Sequence, residues 1–105
     1  MYHVIISKEG CIDFDWDAEK AAINIAKHGV SFEDAATVFD DKYARMIDDP
    51  DHSDFEDRFV IVGFDAKARL LTVCHCYRGS NDVIRLISAR RATKNEAKGY
   101  WRYRK

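Results

Sequence analysis

The stretch Val83-Ile84-Arg85-Leu86-Ile87-Ser88-Ala89-Arg90-Arg91-Ala92-Thr93 decides how this sequence is read. Its branched apolar residues alternate with smaller or charged ones as far as Ala89, the period of a strand carrying different chemistry on its two faces. Thr93 then opens a Thr-x-x-Glu capping box closed by Glu96, so the strand runs straight into a helix. Arginines on rigid backbone beside the free N–H groups of a helix start suit an anion such as phosphate. Regular alternation puts Arg85 and Arg90 on opposite faces, so both reach one ligand only if the strand is bulged or ends before Arg90.

Working outward, Arg58 to Phe64 and Leu70 to Arg78 read as two strands joined by a loop of hairpin length, Asp65 to Arg69. Arg58, Val60, Val62 and Phe64 share one face of the first, and Leu70, Thr72, Cys74, Cys76 and Arg78 one face of the second. Gly79 to Asp82 turns the chain into Val83, and Lys94 to about Tyr103 predicts a helix with Ala97, Tyr100 and Trp101 on a common side. Upstream, Phe14 to Trp16 reads as a short strand and Asp17 as the N-cap of a helix over Ala18 to His28, with Ala22, Ile25 and Ala26 as its apolar face. Gly29 ends that helix, and Ser31-x-x-Asp34 opens another whose Phe32, Ala35, Ala36 and Phe39 recur at helical spacing. Tyr43 to Ile47 reads as a short strand. Residues 1 to 13 form an N-terminal extension, either an edge strand or a disordered segment. The expected class is α+β: two N-terminal helices, an antiparallel sheet of three to four strands and a C-terminal helix, with one sheet face left partly open.

A chain of 105 residues, 47% hydrophobic and 33% charged, fits one soluble globular domain, taken as residues 14 to 105. No apolar run approaches the ~18 residues of a membrane span and no signal-peptide plan is present, so the expected location is the cytoplasm. Cys11, Cys74 and Cys76 are an odd set without a framework spacing, which fits a reducing compartment. Cys74, His75 and Cys76 alternate across a strand and cannot converge on one metal ion, and the acidic segment Asp48 to Asp54 lacks the glycine and bidentate glutamate of a calcium loop. Neither metal nor cofactor is expected. The net charge of -1 hides an asymmetry, because residues 1 to 57 carry 15 Asp/Glu and 5 Lys/Arg while residues 58 to 105 carry 3 and 12. Either the basic half forms a binding surface for phosphates, or the two halves pair with each other on folding.

The motifs Phe14-Asp15-Trp16-Asp17, Lys20, Asn24, Lys27-His28-Gly29-Val30-Ser31-Phe32, Ala35, Phe39, Arg58, Gly63 and Ile84 to Ala92 with Glu96 and Tyr100 together resemble the BrnT toxins over roughly residues 14 to 103. The resemblance implies a RelE-like ribonuclease fold, the toxin half of a type II toxin-antitoxin pair. It also implies a BrnA-type antitoxin that neutralises the toxin in a hetero-oligomer and contacts DNA on its behalf. Metal-independent cleavage of RNA proceeds by attack of the 2'-hydroxyl on its own phosphate, so fixed cations carry most of the chemistry. Arg58, Arg78 and Arg90 are the expected catalytic cations, with Lys27 and His28 as candidates for proton transfer. His28 has a second explanation as a cation at a helix C-terminus. Arg85, Arg91 and Tyr100 are expected to bind RNA, Tyr100 by stacking on bases unless it packs its helix onto the sheet. Glu96 is explained by capping, with a general-base role as the lesser alternative, and His75 is expected to be packed. The competing function is a non-catalytic RelE-like module that binds protein or nucleic acid. What separates the two is whether at least two of Arg58, Arg78 and Arg90 reach one phosphate-sized site.

Overall fold

The computed structural model describes residues 2–6, 13–48, 58–78 and 83–104. Much of the expected acidic segment Asp48 to Asp54, the turn at Gly79 to Asp82, and Cys11 lie outside the described residues. Among the described residues six strands form one sheet: β1 (Tyr2–Ile6), β2 (Asp13–Asp17), β3 (Arg45–Asp48), β4 (Phe59–Phe64), β5 (Leu70–Arg78) and β6 (Val83–Arg91), in the order β1-β2-β6-β5-β4-β3. The helices are α1 (Ala18–His28), α2 (Phe32–Ala36) and α3 (Lys94–Arg104), with a 3-10 turn at Thr37–Asp40 after α2.

The α+β architecture is the expected one, but the sheet is larger and mixed. β2 pairs with β6 in parallel, Asp13 opposite Val83 and Asp15 opposite Arg85, and β1 adds an antiparallel edge strand to β2. Pairing of this kind joins segments some seventy positions apart, for which local alternation carries no signal.

One face of the sheet carries the main core. Phe14 and Trp16 of β2, Ile61 of β4, Leu71 and Val73 of β5, and Ile84, Leu86 and Ala89 of β6 pack there against Val30, Phe32, Ala35, Ala36 and Val38. The other face carries a smaller cluster, in which α3 lowers Tyr100 onto Val60 and Val62, flanked by Tyr43, Ile47, Phe64 and Leu70. The Tyr100 hydroxyl donates to Asp41 Oδ2 at 2.7 Å, and that oxygen also accepts from Phe64 N–H at 2.9 Å. Burial and the Asp41 carboxylate together push the Tyr100 hydroxyl up to about 12. Gly63 is required where the chain crosses under this contact, since a Cβ there would lie 2.9 Å from the Ala44 Cβ.

Helix α1 starts where its sequence says, with the Asp17 carboxylate accepting from Glu19 N–H at 2.8 Å, and stops at Gly29 in the left-handed region (φ 71°). Its facing differs from expectation. Ile23 and Ile25 are 57% and 49% exposed, Ala22 and Ala26 are exposed as well, and Asn24 is the residue turned inward. The Asn24 Nδ2 donates to the carbonyls of Val30 and Ala89, both at 2.9 Å, and its Oδ1 accepts from Ala89 N–H at 3.1 Å. The parallel pairing of β2 with β6 ends at Asp15 and Arg85, shortly before the chain turns into α1 at Ala18. Asn24 satisfies the backbone of β6 beyond that point, so hydrogen bonding and not apolar periodicity orients the helix.

An arginine-lined candidate site on the α3 face of the sheet

The face of β6 changes partway along the strand, and that change builds the site. Ser88 lies opposite Cys74 and Leu86 opposite His75, so Ile87 is an extra residue without a partner, a β-bulge. Ala89, Leu86 and Ile84 all enter the main core. Arg90, Ser88, Ile87 and Arg85 are thereby left on the α3 face. The bulge thus resolves the parity conflict between Arg85 and Arg90. On β5 alternation stays regular, with Leu71, Val73 and His75 buried and Thr72, Cys74, Cys76 and Arg78 on the α3 face.

Arg58, Val60, Thr72, Cys74, Ile87, Ser88 and Arg90 line one open-mouthed cavity of about 210 Å³. That is several times the ~30 Å³ share of a liquid water molecule and leaves room for a phosphate group. Arg58, just ahead of β4, and Arg90 of β6 therefore border a single space, with Thr72, Ser88 and Cys74 around it.

Arg90 is held by a carboxylate. Its Nη1 and Nη2 donate to Glu96 Oε1 and Oε2 at 2.8 and 2.9 Å, a two-point contact. Glu96 Oε1 also accepts from the Thr72 hydroxyl and from Thr93 N–H, each at 2.8 Å, while Glu96 N–H donates to Thr93 Oγ1 at 3.2 Å. The capping box is thus present as read, and its glutamate has further partners. Arg90 foremost, with Thr93 and Thr72, overcomes the partial burial of Glu96 and holds its carboxyl down at about 2. A group so acidic is a poor general base at neutral pH. The anion position at the start of α3, expected for phosphate, is filled by this side chain.

The other expected site residues separate by position. Arg85 shares the cavity's face, next to Asp15 in register, and Arg78 stands further along β5, its Nη1 3.8 Å from Asp15 Oδ2. Six residues of strand between Thr72 and Arg78 amount to about 20 Å, so Arg78 does not share the cavity with Arg90. Arg91 lies opposite Leu71 and points to the other side of the sheet from Arg90. Tyr100 is 1% exposed and committed to Asp41, so its ring is not offered to bases; its packing role is the one the geometry supports. Lys27 and His28 are both exposed on α1. With Asn24 facing β6 and Ala21 packed toward the main core, helical spacing puts Lys20 and Lys27 on the flank away from the core and His28 on the Ala21 side.

His75 has no exposure and rests edge-on against Phe39, with ring centroids 4.9 Å apart. Burial pushes its imidazole down to about 4, so it stays neutral. Among the described residues no three His, Cys, Asp or Glu side chains converge as a metal site, and no helix is long and apolar enough to cross a membrane. Asn24 as the holder of β6 and Thr72 as a partner of Glu96 are not legible in the sequence, since both contacts join segments distant in the chain.

Fold and cavity define a class, a small α+β domain with an arginine-lined cavity on one face of its sheet. The family is more specific: the family model described as ribonuclease toxin, BrnT, of type II toxin-antitoxin system matches residues 16–96, and the chain belongs to that family. The crystal structure of the Brucella abortus ribonuclease toxin BrnT is similar at 28% sequence identity, covering 75% of this chain and 94% of that one with a TM-score of 0.57. A search of curated proteins gave no match.

Proposed function

We propose that this ribonuclease toxin cleaves RNA without a metal ion, by attack of a 2'-hydroxyl on the adjacent phosphate held between Arg58 and Arg90. The observation that carries this reading is the single cavity that both arginines line. In the transition state the phosphorus gains a fifth oxygen and the equatorial oxygens gain charge. Two fixed guanidinium groups stabilise that charge without reorganising, and Ser88 adds a hydroxyl donor at the wall. Arg85 and then Arg78 extend the cationic line along the same face and hold neighbouring phosphates. Lys27 and His28, both exposed on α1, are the candidates for proton transfer to the leaving oxygen. A BrnA-type antitoxin neutralises the toxin in a hetero-oligomer and supplies the contact with DNA.

The test is cleavage of an RNA oligonucleotide by the purified chain in excess chelator, with growth arrest scored in parallel. Arg58→Ala and Arg90→Ala are each expected to lower cleavage by about 100-fold or more, the scale of losing one oxyanion-stabilising donor. Arg91→Ala, on the opposite face, should stay within a few-fold of the parent. Equal loss in Arg90→Ala and Arg91→Ala would sink the assignment. Cleavage that vanishes with chelator and returns with a divalent cation would sink the metal-independent chemistry.

A further inference from the structure

We infer that Glu96 is a positioning residue for the cleavage step, acting through Arg90, with Thr72 fixing Glu96 in turn; this rests on the ribonuclease reading above. Capping explains only part of what Glu96 does. A capping glutamate needs one contact, to the N-cap N–H, and Glu96 makes that bond to Thr93 at 2.8 Å. Its remaining capacity goes elsewhere: two bonds to Arg90 and one from Thr72, the residue directly opposite Arg90 in the β5–β6 register. Thr72 is only 4% exposed, so its hydroxyl is a buried donor already committed to Glu96. Strand β5, strand β6 and the first turn of α3 are therefore tied at one carboxylate.

An arginine side chain has four rotatable bonds and samples many positions when it is untethered. A two-point carboxylate contact fixes the plane of the guanidinium and so the direction of its remaining N–H donors. The cavity is lined by Arg90 and Thr72 but not by Glu96. The carboxylate thus restrains the cation from behind while the ligand space stays in front of it. Glu96 also places a negative charge beside the cavity. This opposes RNA binding over longer range, so removing it has two separable consequences: poorer aim of Arg90 and stronger attraction of the polyanion.

That split gives a readout that a purely structural role does not produce. With the full chain and a fluorogenic RNA oligonucleotide, Glu96→Gln is expected to lower kcat about 10- to 100-fold, the scale of a misplaced catalytic group, while KM stays level or falls. Thr72→Val, which keeps the cap and the Arg90 contact, should lower kcat about threefold or more, with Thr72→Ser restoring it. Glu96→Gln with kcat within twofold of the parent, or with raised KM and unchanged kcat, overturns the inference. If Glu96→Gln does not fold, Thr72→Val and Thr72→Ser decide alone, and equal kcat in those two overturns it. A parent chain that cuts no RNA removes the ribonuclease reading and this inference together. A parent that cuts and a Glu96→Gln that cuts as well removes only the inference.

Discussion

Replacing Asn24 with alanine removes two hydrogen bonds from β6 at Ala89 and one from the Val30 carbonyl, and leaves those buried groups without partners. The expected loss of stability is about 2–4 kcal/mol, measured by urea unfolding, since each buried group left unsatisfied costs ~1–3 kcal/mol and neighbouring losses overlap. Ile25→Ser, in the same helix, should change stability by less than ~0.5 kcal/mol because Ile25 is about half exposed. The reverse ranking would mean that α1 packs by its apolar periodicity after all. His75 gives a pH signature. Its imidazole titrates near 6.5 when unfolded and at about 4 when folded, so the unfolded chain takes up the proton first as pH falls. Stability is therefore full above pH 6.5 and declines between 6.5 and 4, by roughly 3 kcal/mol at 1.36 kcal/mol per pKa unit. Glu96 adds to the decline further down, between 4.5 and about 2. His75→Phe should flatten the slope between pH 6.5 and 4 and leave the more acidic part; a slope unchanged in that variant would assign it to other groups.

At the scale of elements, the bulge in β6 decides which side chains meet. Removing one residue from a regular strand turns everything beyond it to the other face, here driving Ser88 and Arg90 into the core. Because Ile87 is the extra residue, its deletion should instead leave a regular strand with Leu86 and Ala89 still inward and Arg85 and Arg90 still outward. The expected outcome is a folded protein with a cooperative thermal transition, followed by circular dichroism; loss of folding would show that β6 is in another register. Helix boundaries, by contrast, were legible in the sequence. Asp17 and Gly29 bracket α1, Ser31 opens α2 with its hydroxyl accepting from Asp34 N–H, and Thr93 with Glu96 opens α3, because caps are local chemistry.

Across the whole molecule, the charge asymmetry has a consequence for partners. The α3 face brings together Arg58, Arg78, Arg85 and Arg90, all from the basic half of the chain. Affinity for RNA, measured by filter binding or anisotropy, is expected to fall steeply as salt rises from 50 to 200 mM, about tenfold or more for a few phosphate contacts. An affinity indifferent to salt would detach RNA binding from this face. Not all the basic residues join it. Arg69 is bonded to Asp65 and Asp34 at 2.7 and 2.9 Å, where it fastens the β4–β5 hairpin to α2, so part of the opposite charge in the two halves does pair on folding.

The sequence by itself determined strands β2 to β6, the three helices with their caps, and the family, because each is written in residues close together or in motifs of fixed order, while β1 stayed open between an edge strand and a disordered segment. The tertiary structure alone decided the parallel β2–β6 pairing, the outward turn of the α1 apolar face, the bulge at Ile87 and the seating of Glu96 between Arg90 and Thr72. Each of these depends on hydrogen bonds between segments distant in the chain. One buried amide or one extra strand residue outweighs local periodicity there, since the three hydrogen bonds of Asn24 satisfy buried groups that would cost ~1–3 kcal/mol each, while Ile23 and Ile25, still partly covered, forgo only part of the ~1.5–3 kcal/mol of full burial.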